Sequence, residues 1–188
     1  MRIGAVVLAA GASKRLGEPK QLVRLGEETL LERAVRVARE AGCSPVVVVV
    51  GADYANVLAN SVLGDVLTVI NDRWEEGMAS SIRLGVRTLG IAAEDADGVV
   101  LMTCDQPAVA AKHLSRLMMS DAMKASRYAG RNGVPAFFPA KYFDELMKLK
   151  GDAGARELLA EARYEELKDG ELDVDTPADL ARARELFG

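Results

Sequence analysis

Up to residue 119, short apolar runs rich in β-branched residues alternate with segments of helical periodicity, and this alternation constrains the fold more than any other feature. The apolar runs predict strands at residues 3–9, 45–50, 66–70 and 98–102. The segments between and after them predict helices at residues 29–41, 53–61, 79–89 and 112–119. Because each strand precedes a helix, the pattern predicts an α/β fold in which a mostly parallel sheet lies between two layers of helices.

The rhythm changes after residue 124. Two shorter strands are predicted at residues 125–129 and 134–138, followed by helices at 141–149, 152–161 and 176–187. The last helix carries start signals, with Thr176 as N-cap, Pro177 at the first helical position and Asp179 at the capping-box position. There is no linker, repeat or low-complexity segment, so we expect one domain over residues 1–188.

Charge and residue usage exclude several classes of protein. The net charge is −4, which disfavours a general nucleic-acid binder. We find no signal peptide and no apolar run long enough to cross a membrane, so we expect a cytoplasmic monomer without a membrane partner. Cys43 and Cys104 lack metal-ligand spacing and are interpreted as buried thiols, and His113 as a surface or partly buried helix residue.

The loop after the first predicted strand is the most informative segment for function. Residues 8–22 read LAAGASKRLGEPKQL, in which Gly11, Gly17 and several small residues let backbone N–H groups approach a ligand. Lys14, Arg15 and Lys20 add three cations to the loop. Glycines, small residues and cations directly after a buried strand favour a triphosphate site, although a solvated basic loop is the alternative.

Two better-known phosphate loops do not fit this segment. A Walker loop requires Gly-Lys-Ser/Thr, but Gly17 is followed by Glu18. The dinucleotide loop requires Gly-x-Gly, but Gly11 is followed by Ala12 and Ser13. The pattern therefore disfavours both a P-loop NTPase and a dehydrogenase.

Acidic residues occur at two later points of the chain. Asp105 comes directly after the strand at 98–102, where open α/β sheets bind ligands, and a carboxylate there suits Mg²⁺. Its alternative role is a turn aspartate before Pro107. Asp173 and Asp175 precede the last helix, where helix capping is the ordinary explanation.

Together these motifs resemble the MobA-like NTP transferase family, which builds molybdenum cofactor nucleotides, and especially its cytidylyltransferases. The resemblance rests on Leu-Ala-Ala-Gly at residues 8–11, then Ser13, Arg15, Gly17 and the Pro-Lys pair ending at Lys20. It continues through Asp-Gln-Pro at 105–107 and Asp-x-Asp-Thr-Pro at 173–177, and it spans nearly the whole chain. It implies a Rossmann-like three-layer sandwich of the nucleotide-diphospho-sugar transferase type.

The resemblance implies a set of site residues. The catalytic residues are Arg15, Lys20 and Asp105, and the metal ligands are Asp105 and Asp175, with Asp173 as the alternative to Asp175. The nucleotide-binding residues are Leu8, Ala9, Ala10, Gly11, Ser13, Lys20, Gly77, Ser80, Ser81 and Asp105. The acceptor-binding residues are Gln106, Pro135, Asp152 and Arg156, with helix capping as the alternative for Asp152. Trp74 is interpreted as packing rather than stacking on a ligand. Val134 stands where the family commonly has His, which weakens the acceptor assignment.

The implied reaction is Mg²⁺-dependent transfer of CMP from CTP to a phosphorylated acceptor, molybdopterin above all, with release of pyrophosphate. Ala10 favours CTP, because the GTP users usually carry Leu-Ala-Gly-Gly. A molybdoenzyme or its chaperone is the implied protein partner. The alternatives are GTP as donor, a sugar phosphate or methylerythritol phosphate as acceptor, and a nucleotide-binding module without catalysis.

Overall fold

A computed structural model describes all residues from Met1 to Gly188. The strands are β1 (Ile3–Ala9), β2 (Arg24–Leu25), β3 (Glu28–Thr29), β4 (Val46–Val50), β5 (Leu67–Ile70), β6 (Gly98–Thr103), β7 (Lys124–Tyr128), β8 (Arg131–Pro139) and β9 (Arg163–Glu166). The α-helices are α1 (Leu30–Glu40), α2 (Tyr54–Ala59), α3 (Met78–Ala92), α4 (Ala111–Met118), α5 (Phe143–Met147), α6 (Arg156–Leu159) and α7 (Pro177–Phe187). Single 3₁₀ turns occur at Lys20–Leu22, Trp74–Glu76 and Ala140–Tyr142.

Seven strands form one sheet in the order β5-β4-β1-β6-β8-β7-β9. The first four strands of this order are parallel, and β9 is parallel to β7. Strand β8 pairs antiparallel with both β6 and β7. In the centre of the sheet Val7 lies between Val48 and Met102. The predicted α/β class with a mostly parallel sheet is confirmed.

Helices cover both faces of the sheet because successive residues of the central strands point to opposite sides. Val7 of β1 belongs to an apolar cluster with residues of α1 and α4, such as Leu31 and Leu114. Its neighbour Val6 belongs to a second cluster with residues of α3, such as Ile82. All five of these side chains are fully buried, and burial of each large one contributes about 1.5–3 kcal/mol.

The C-terminal segment packs against the loop after β1. Leu16 and Val23 of that loop share a third apolar cluster with Val174 and Leu180. The backbone N–H of Val174 also donates to the carbonyl oxygen of Asp105 at 2.9 Å. Helix α7 begins with the predicted capping box. The far end of the chain is thereby held beside the first loop and the end of β6.

The second half of the chain differs from the prediction. The helix predicted at 152–161 is only the single turn α6, because Gly151 and Gly154 adopt φ values of +71° and +58°, outside the helical region. The helix predicted at 141–149 is a 3₁₀ turn followed by α5, and the strand predicted at 134–138 extends over the whole of β8. Strand β9 was not predicted. In the first half β2 and β3 were not predicted either, and the predicted bounds of the other elements agree with the observed ones to within three residues.

The two cysteines and the single histidine all lie in the interior of the protein. Cys43 and Cys104 are buried, as expected, and burial raises the pKa of each thiol to about 12, so neither supplies a thiolate. His113 is more buried than expected, with 8% of its surface exposed. No helix has the length and apolar character needed to span a bilayer.

Candidate functional site

Lys20 lies at the centre of a cluster of charged side chains at the carboxyl ends of β1 and β6. Its Nζ atom donates to Asp105 Oδ2 at 2.6 Å and to Asp175 Oδ1 at 2.8 Å. The other oxygen of Asp175, Oδ2, accepts from Arg15 Nη2 at 2.8 Å. The structure therefore brings together all three predicted catalytic residues and the predicted second metal ligand, although up to 160 positions separate them.

The electrostatics of this cluster keep Lys20 charged. Burial lowers the pKa of Lys20, but the charge of the Asp105 carboxylate and the hydrogen bonds that Lys20 donates to Asp105 and Asp175 outweigh burial, so the net pKa lies above its usual value. Lys20 therefore carries a full positive charge at neutral pH in a partly desolvated position, where charge interactions are stronger than in water.

Buried hydrogen bonds fix the loop that carries Lys20. The Gln21 side chain is 1% exposed, and its Nε2 atom donates to the carbonyl oxygens of Ala9 at 2.8 Å and Gly11 at 3.0 Å. Ser13 Oγ accepts from the backbone N–H of Lys20 at 3.0 Å. A Cβ atom at Gly11 would meet nothing within 4 Å, so the space above this residue is open to a ligand.

The carboxylates fit a divalent cation held partly by phosphate. Asp105 Oδ1 is buried without any hydrogen-bond partner, and Asp105 and Asp175 converge on the single point that Lys20 Nζ occupies. No group of three His, Cys, Asp or Glu side chains is arranged to hold a metal ion. This donor set suits Mg²⁺, which commonly binds one or two carboxylates and completes its shell with phosphate oxygens and water.

Asp173, the alternative metal ligand, has a different environment. It makes no ion pair and is exposed to solvent. Partial desolvation in the cleft and the neighbouring charges of Asp105 and Asp175 raise its pKa above the usual value for an aspartate. Its carboxylate lies on the wall of a neighbouring cavity. The geometry therefore favours Asp175, whose oxygen shares a partner with Asp105.

A cavity of about 590 Å³ opens beside the charged cluster. Most of the predicted nucleotide-binding residues line it: Leu8, Ala9, Ala10, Gly11, Lys20, Gly77, Ser81 and Asp105. Trp74, which was interpreted as a packing residue, lines it as well. Ser13 lies at an adjoining pocket of about 250 Å³, on the other side of the glycine loop. We call the 590 Å³ cavity and its walls the nucleotide side.

Ser80 does not line this cavity, so the structure gives no support to its assignment as a nucleotide-binding residue. Its Oγ atom turns inward, where it accepts from Asn71 Nδ2 at 2.8 Å and lies 2.8 Å from the carbonyl oxygen of Gly77. Asn71 Nδ2 also donates to Ser81 Oγ at 2.9 Å. Consecutive residues of a helix point about 100° apart, so only one of the two serines faces the cavity.

Two backbone segments touch where the nucleotide side meets the rest of the cleft. Gly77 adopts φ +99°, and a Cβ atom there would lie 2.7 Å from the carbonyl carbon and oxygen of Gly151. The carbonyl oxygen of Gly151 accepts from the N–H of Ala79 at 3.1 Å, and Asp152 Oδ1 accepts from the N–H of Met78 at 3.4 Å. Asp152 therefore caps the start of α3 rather than α6, whose N-cap position is Ala155.

A second cavity of about 390 Å³ adjoins the first, and we call it the acceptor side. Three of the four predicted acceptor-binding residues line it, namely Gln106, Asp152 and Arg156. Pro135 does not, because this residue is buried in β8 and its carbonyl oxygen accepts from Ser126 Oγ. Val134, which replaces the expected His, lies on the cavity wall.

Sequence reasoning missed two polar residues that hold the nucleotide side in place. Gln21 follows Lys20 directly, and Asn71 follows β5 directly. An amide side chain next to a strand end or a phosphate loop is the sequence signal that could have identified both residues. Both side chains are at least 95% buried and fully used as donors.

Comparison with sequence families gives one match. A family model described as MobA-like NTP transferase domain matches residues 5–167. Nicotine blue oxidoreductase of Paenarthrobacter nicotinovorans is 32% identical over 169 residues, which cover 84% of this chain and 81% of that protein. Purine catabolism protein PucB of Bacillus subtilis is 30% identical over 95% of this chain and 94% of that protein. A probable molybdenum cofactor guanylyltransferase of Opitutus terrae is 53% identical, but over only 25% of this chain and 23% of that protein.

Solved structures share the fold along the whole chain. The crystal structure of Rv0371c from Mycobacterium tuberculosis matches with a TM-score of 0.86 and 35% identity, over 98% of both chains. A structure described as Rv0371C in complex with manganese matches with a TM-score of 0.80 and 31% identity, over 99% of this chain and 100% of that one.

Proposed function

The chain belongs to the MobA-like NTP transferase family, and from this premise we propose that it transfers CMP from CTP to a phosphorylated acceptor, molybdopterin, and releases pyrophosphate. Nucleotidyl transfer itself follows from the family. The donor nucleotide, the acceptor and Mg²⁺ as the metal are the proposal.

The observation that supports it most directly is the contact of Lys20 with both Asp105 and Asp175 beside an open glycine loop. Phosphoryl-type transfer requires mainly positioning and neutralisation of charge. Cations for the phosphates and carboxylates for a divalent ion meet here at one edge of the sheet. An arrangement for acyl transfer would instead require a nucleophile with a neighbouring base, and the single histidine lies away from both cavities, on α4.

In the proposed reaction an oxygen of the acceptor phosphate attacks the α-phosphorus of the triphosphate. A bond forms between these two atoms, the bond from the α-phosphorus to the bridging oxygen breaks, and pyrophosphate leaves with the electron pair. Lys20 and Arg15 bind the phosphate oxygens and stabilise the charge that grows on the leaving group. Asp105 and Asp175 would hold Mg²⁺, which would supply neutralisation of the phosphate charge.

The choice of CTP rests on Ala10, the second alanine of the Leu-Ala-Ala-Gly loop, which lines the nucleotide side. Relatives named as probable guanylyltransferases match over part of the chain, so GTP is the alternative donor. For the metal, a related structure is described as a complex with manganese. We therefore include Mn²⁺ beside Mg²⁺ in the test.

The acceptor assignment rests on the second cavity. Arg15, Arg131 and Arg156 line it together with Gln106, and four aspartates lie on the same wall: Asp105, Asp152, Asp173 and Asp175. The guanidinium groups suit a phosphorylated molecule. Molybdopterin is proposed because of the family resemblance, and a molybdoenzyme or its chaperone is then the protein that receives the product.

The decisive experiment measures pyrophosphate release from CTP, GTP, ATP and UTP, each with molybdopterin, a sugar phosphate or methylerythritol phosphate, and with Mg²⁺ or Mn²⁺. We expect release above background only with CTP, molybdopterin and a divalent ion, and none after chelation. Turnover with GTP and not with CTP would show that GTP is the donor. Turnover with another acceptor and not with molybdopterin would show that the acceptor assignment is wrong. Binding of CTP without pyrophosphate from any acceptor would support a non-catalytic module.

One relative is named an oxidoreductase, so the same preparation should be tested for oxidation of NADH and NADPH. We expect none, because the loop after β1 lacks the Gly-x-Gly that dinucleotide binding requires. Oxidation of NADH or NADPH by an added electron acceptor, at a rate that saturates with cofactor concentration and disappears in Lys20→Ala, would contradict the proposal.

A further inference from the structure

Three buried polar side chains form a closed group behind the wall of the nucleotide side. Asn71, Ser80 and Ser81 are 5%, 6% and 4% exposed, respectively. The backbone N–H of Asn71 donates to the carbonyl oxygen of Val50 at 2.7 Å, which fixes the residue to the end of β4. Position and burial therefore leave the Asn71 side chain little freedom.

The hydrogen bonds of Asn71 determine which end of its carboxamide faces the serines. Its Oδ1 atom accepts from the backbone N–H of Arg73 at 3.0 Å, so the oxygen must point to that donor. The Nδ2 atom then points to the two serines and donates one proton to each hydroxyl oxygen. Both serine oxygens are thus acceptors, and each hydroxyl proton must find a different partner.

The two serines differ in where that proton can go. The Ser80 hydroxyl has the carbonyl oxygens of Gly77 at 2.8 Å and Arg73 at 3.0 Å as acceptors. The Ser81 hydroxyl has no acceptor within the chain, and Ser81 lines the 590 Å³ cavity. Its proton is therefore available to a molecule in that cavity.

We propose that Asn71 is a positioning residue that makes Ser81 a hydrogen-bond donor to the bound nucleotide. The partner is an atom with a lone pair and no proton, such as a ring carbonyl or ring nitrogen of the base. This inference rests on the proposed function, because it takes the cavity to hold the nucleoside. Asn71 itself contacts no ligand and acts only by occupying the serine oxygen.

The test uses the only tryptophan, Trp74, which lines the same cavity, so that quenching of its fluorescence reports nucleotide binding without turnover. In the full chain with Mg²⁺ and CTP, Ser81→Ala should raise the dissociation constant roughly fivefold, the size of one neutral hydrogen bond. Ser80→Ala is the matched control. It loses the same bond to Asn71 but no proton in the cavity, so its dissociation constant should change less than twofold.

Asn71→Asp tests the positioning role itself. A carboxylate keeps the bond from the Arg73 N–H but has no protons, so it accepts from both hydroxyls and withdraws the Ser81 proton from the cavity. Its dissociation constant should rise at least as much as in Ser81→Ala. When Asn71→Asp is combined with Ser81→Ala, the dissociation constant should rise by less than a further twofold relative to Ser81→Ala alone.

The outcomes separate this inference from the proposed function. If the wild-type chain shows no saturable quenching with any nucleoside triphosphate, the proposed function fails and this inference fails with it. If the wild type binds CTP but both serine variants lose affinity equally, or neither does, the inference alone is wrong. Additive losses in the double variant would likewise overturn the positioning role. If Asn71→Asp does not fold, the comparison of the two serine variants decides.

Discussion

The nucleotide side and the acceptor side of the cleft are built in opposite ways. On the nucleotide side, Gln21 and Asn71 hold loops in place with buried hydrogen bonds. Lys20 and Asp105, which line both cavities, are paired at the boundary between the two sides. On the acceptor side, Arg131 and Arg156 are exposed and make no side-chain hydrogen bond or ion pair. The nucleotide side is therefore organised before a ligand arrives, whereas two cations of the acceptor side have no partner within the protein. We therefore expect a change in the preformed site to cost more binding free energy than a change at the exposed cations.

The largest effect on turnover should follow substitution of a residue in the charged cluster around Lys20. Lys20→Ala or Asp105→Ala should lower turnover at least about 100-fold, since each removes a charge worth about 3 kcal/mol in the transition state. The fold should survive, because the contact of Asp105 with Val174 uses its backbone oxygen. Pyrophosphate release and circular dichroism measure the two quantities. Near wild-type turnover in either variant would show that the cluster is not catalytic.

A second experiment asks whether the pairing of Lys20 opposes a metal ion. Because Lys20 Nζ lies between Asp105 and Asp175, a divalent ion that arrives without nucleotide must displace an ammonium group. Lys20→Met should tighten binding of Mn²⁺ alone on the order of tenfold, the equivalent of one charge-assisted hydrogen bond. The same variant should weaken binding of CTP with Mn²⁺. Electron paramagnetic resonance of free Mn²⁺ measures both, and weaker binding of Mn²⁺ alone would contradict the prediction.

A smaller effect is expected on the acceptor side. Arg156→Ala should raise the KM for the acceptor about threefold to tenfold, the range for one charged hydrogen bond in water-exposed surroundings. The KM for CTP should not change, because Arg156 lines only the 390 Å³ cavity. Steady-state kinetics with each substrate varied in turn provides the measurement. An equal rise in both KM values would mean that the two sides do not act separately.

The smallest effect is expected on the free energy of unfolding, through the buried His113. His113 Nε2 lies 2.7 Å from Ser126 Oγ, which donates to the carbonyl oxygen of Pro135, so Ser126 accepts from the Nε2–H group of His113. Burial lowers the pKa of His113 below that of an unfolded histidine, about 6.5. At pH values between the folded and the unfolded pKa of His113, the unfolded chain therefore binds more protons than the folded chain. The free energy of unfolding consequently falls as the pH drops through about 6.5.

Urea unfolding at pH 7.5 and pH 5.5 tests this prediction. The wild type should lose more stability on acidification than His113→Gln, which cannot take up the proton. The other titrating groups are common to both proteins, so the difference isolates His113. Equal losses in the two proteins would show that this histidine is not coupled to folding.

The contrast between the two sides also explains what sequence could predict. Strand β1, helix α1 and the cap of α7 follow from local signals, namely an apolar run, helical periodicity and a capping box. Strand β9 reads Arg-Tyr-Glu-Glu and carries no apolar pattern, because its conformation comes from pairing with β7 at the edge of the sheet. Such pairing depends on residues far away in the sequence.

The same division holds for the site residues. The phosphate loop and Asp105 are readable because parallel strands place their carboxyl ends at one edge of the sheet. The inward turn of Ser80 and the burial of Pro135 depend on which way a helix or strand is rotated by packing. Periodicity over a few residues does not determine that rotation when neighbouring positions are similarly polar or small.

The contact between Gly77 and Gly151 constrains how this protein can diversify. Positions 77 and 151 should covary among homologues, because a side chain at the first requires a displaced backbone at the second. Anyone who grafts the 151–155 loop of a relative, in order to change acceptor preference, must therefore transplant residue 77 as well. A chimera that ignores this pairing would be expected to lose donor affinity along with its original acceptor.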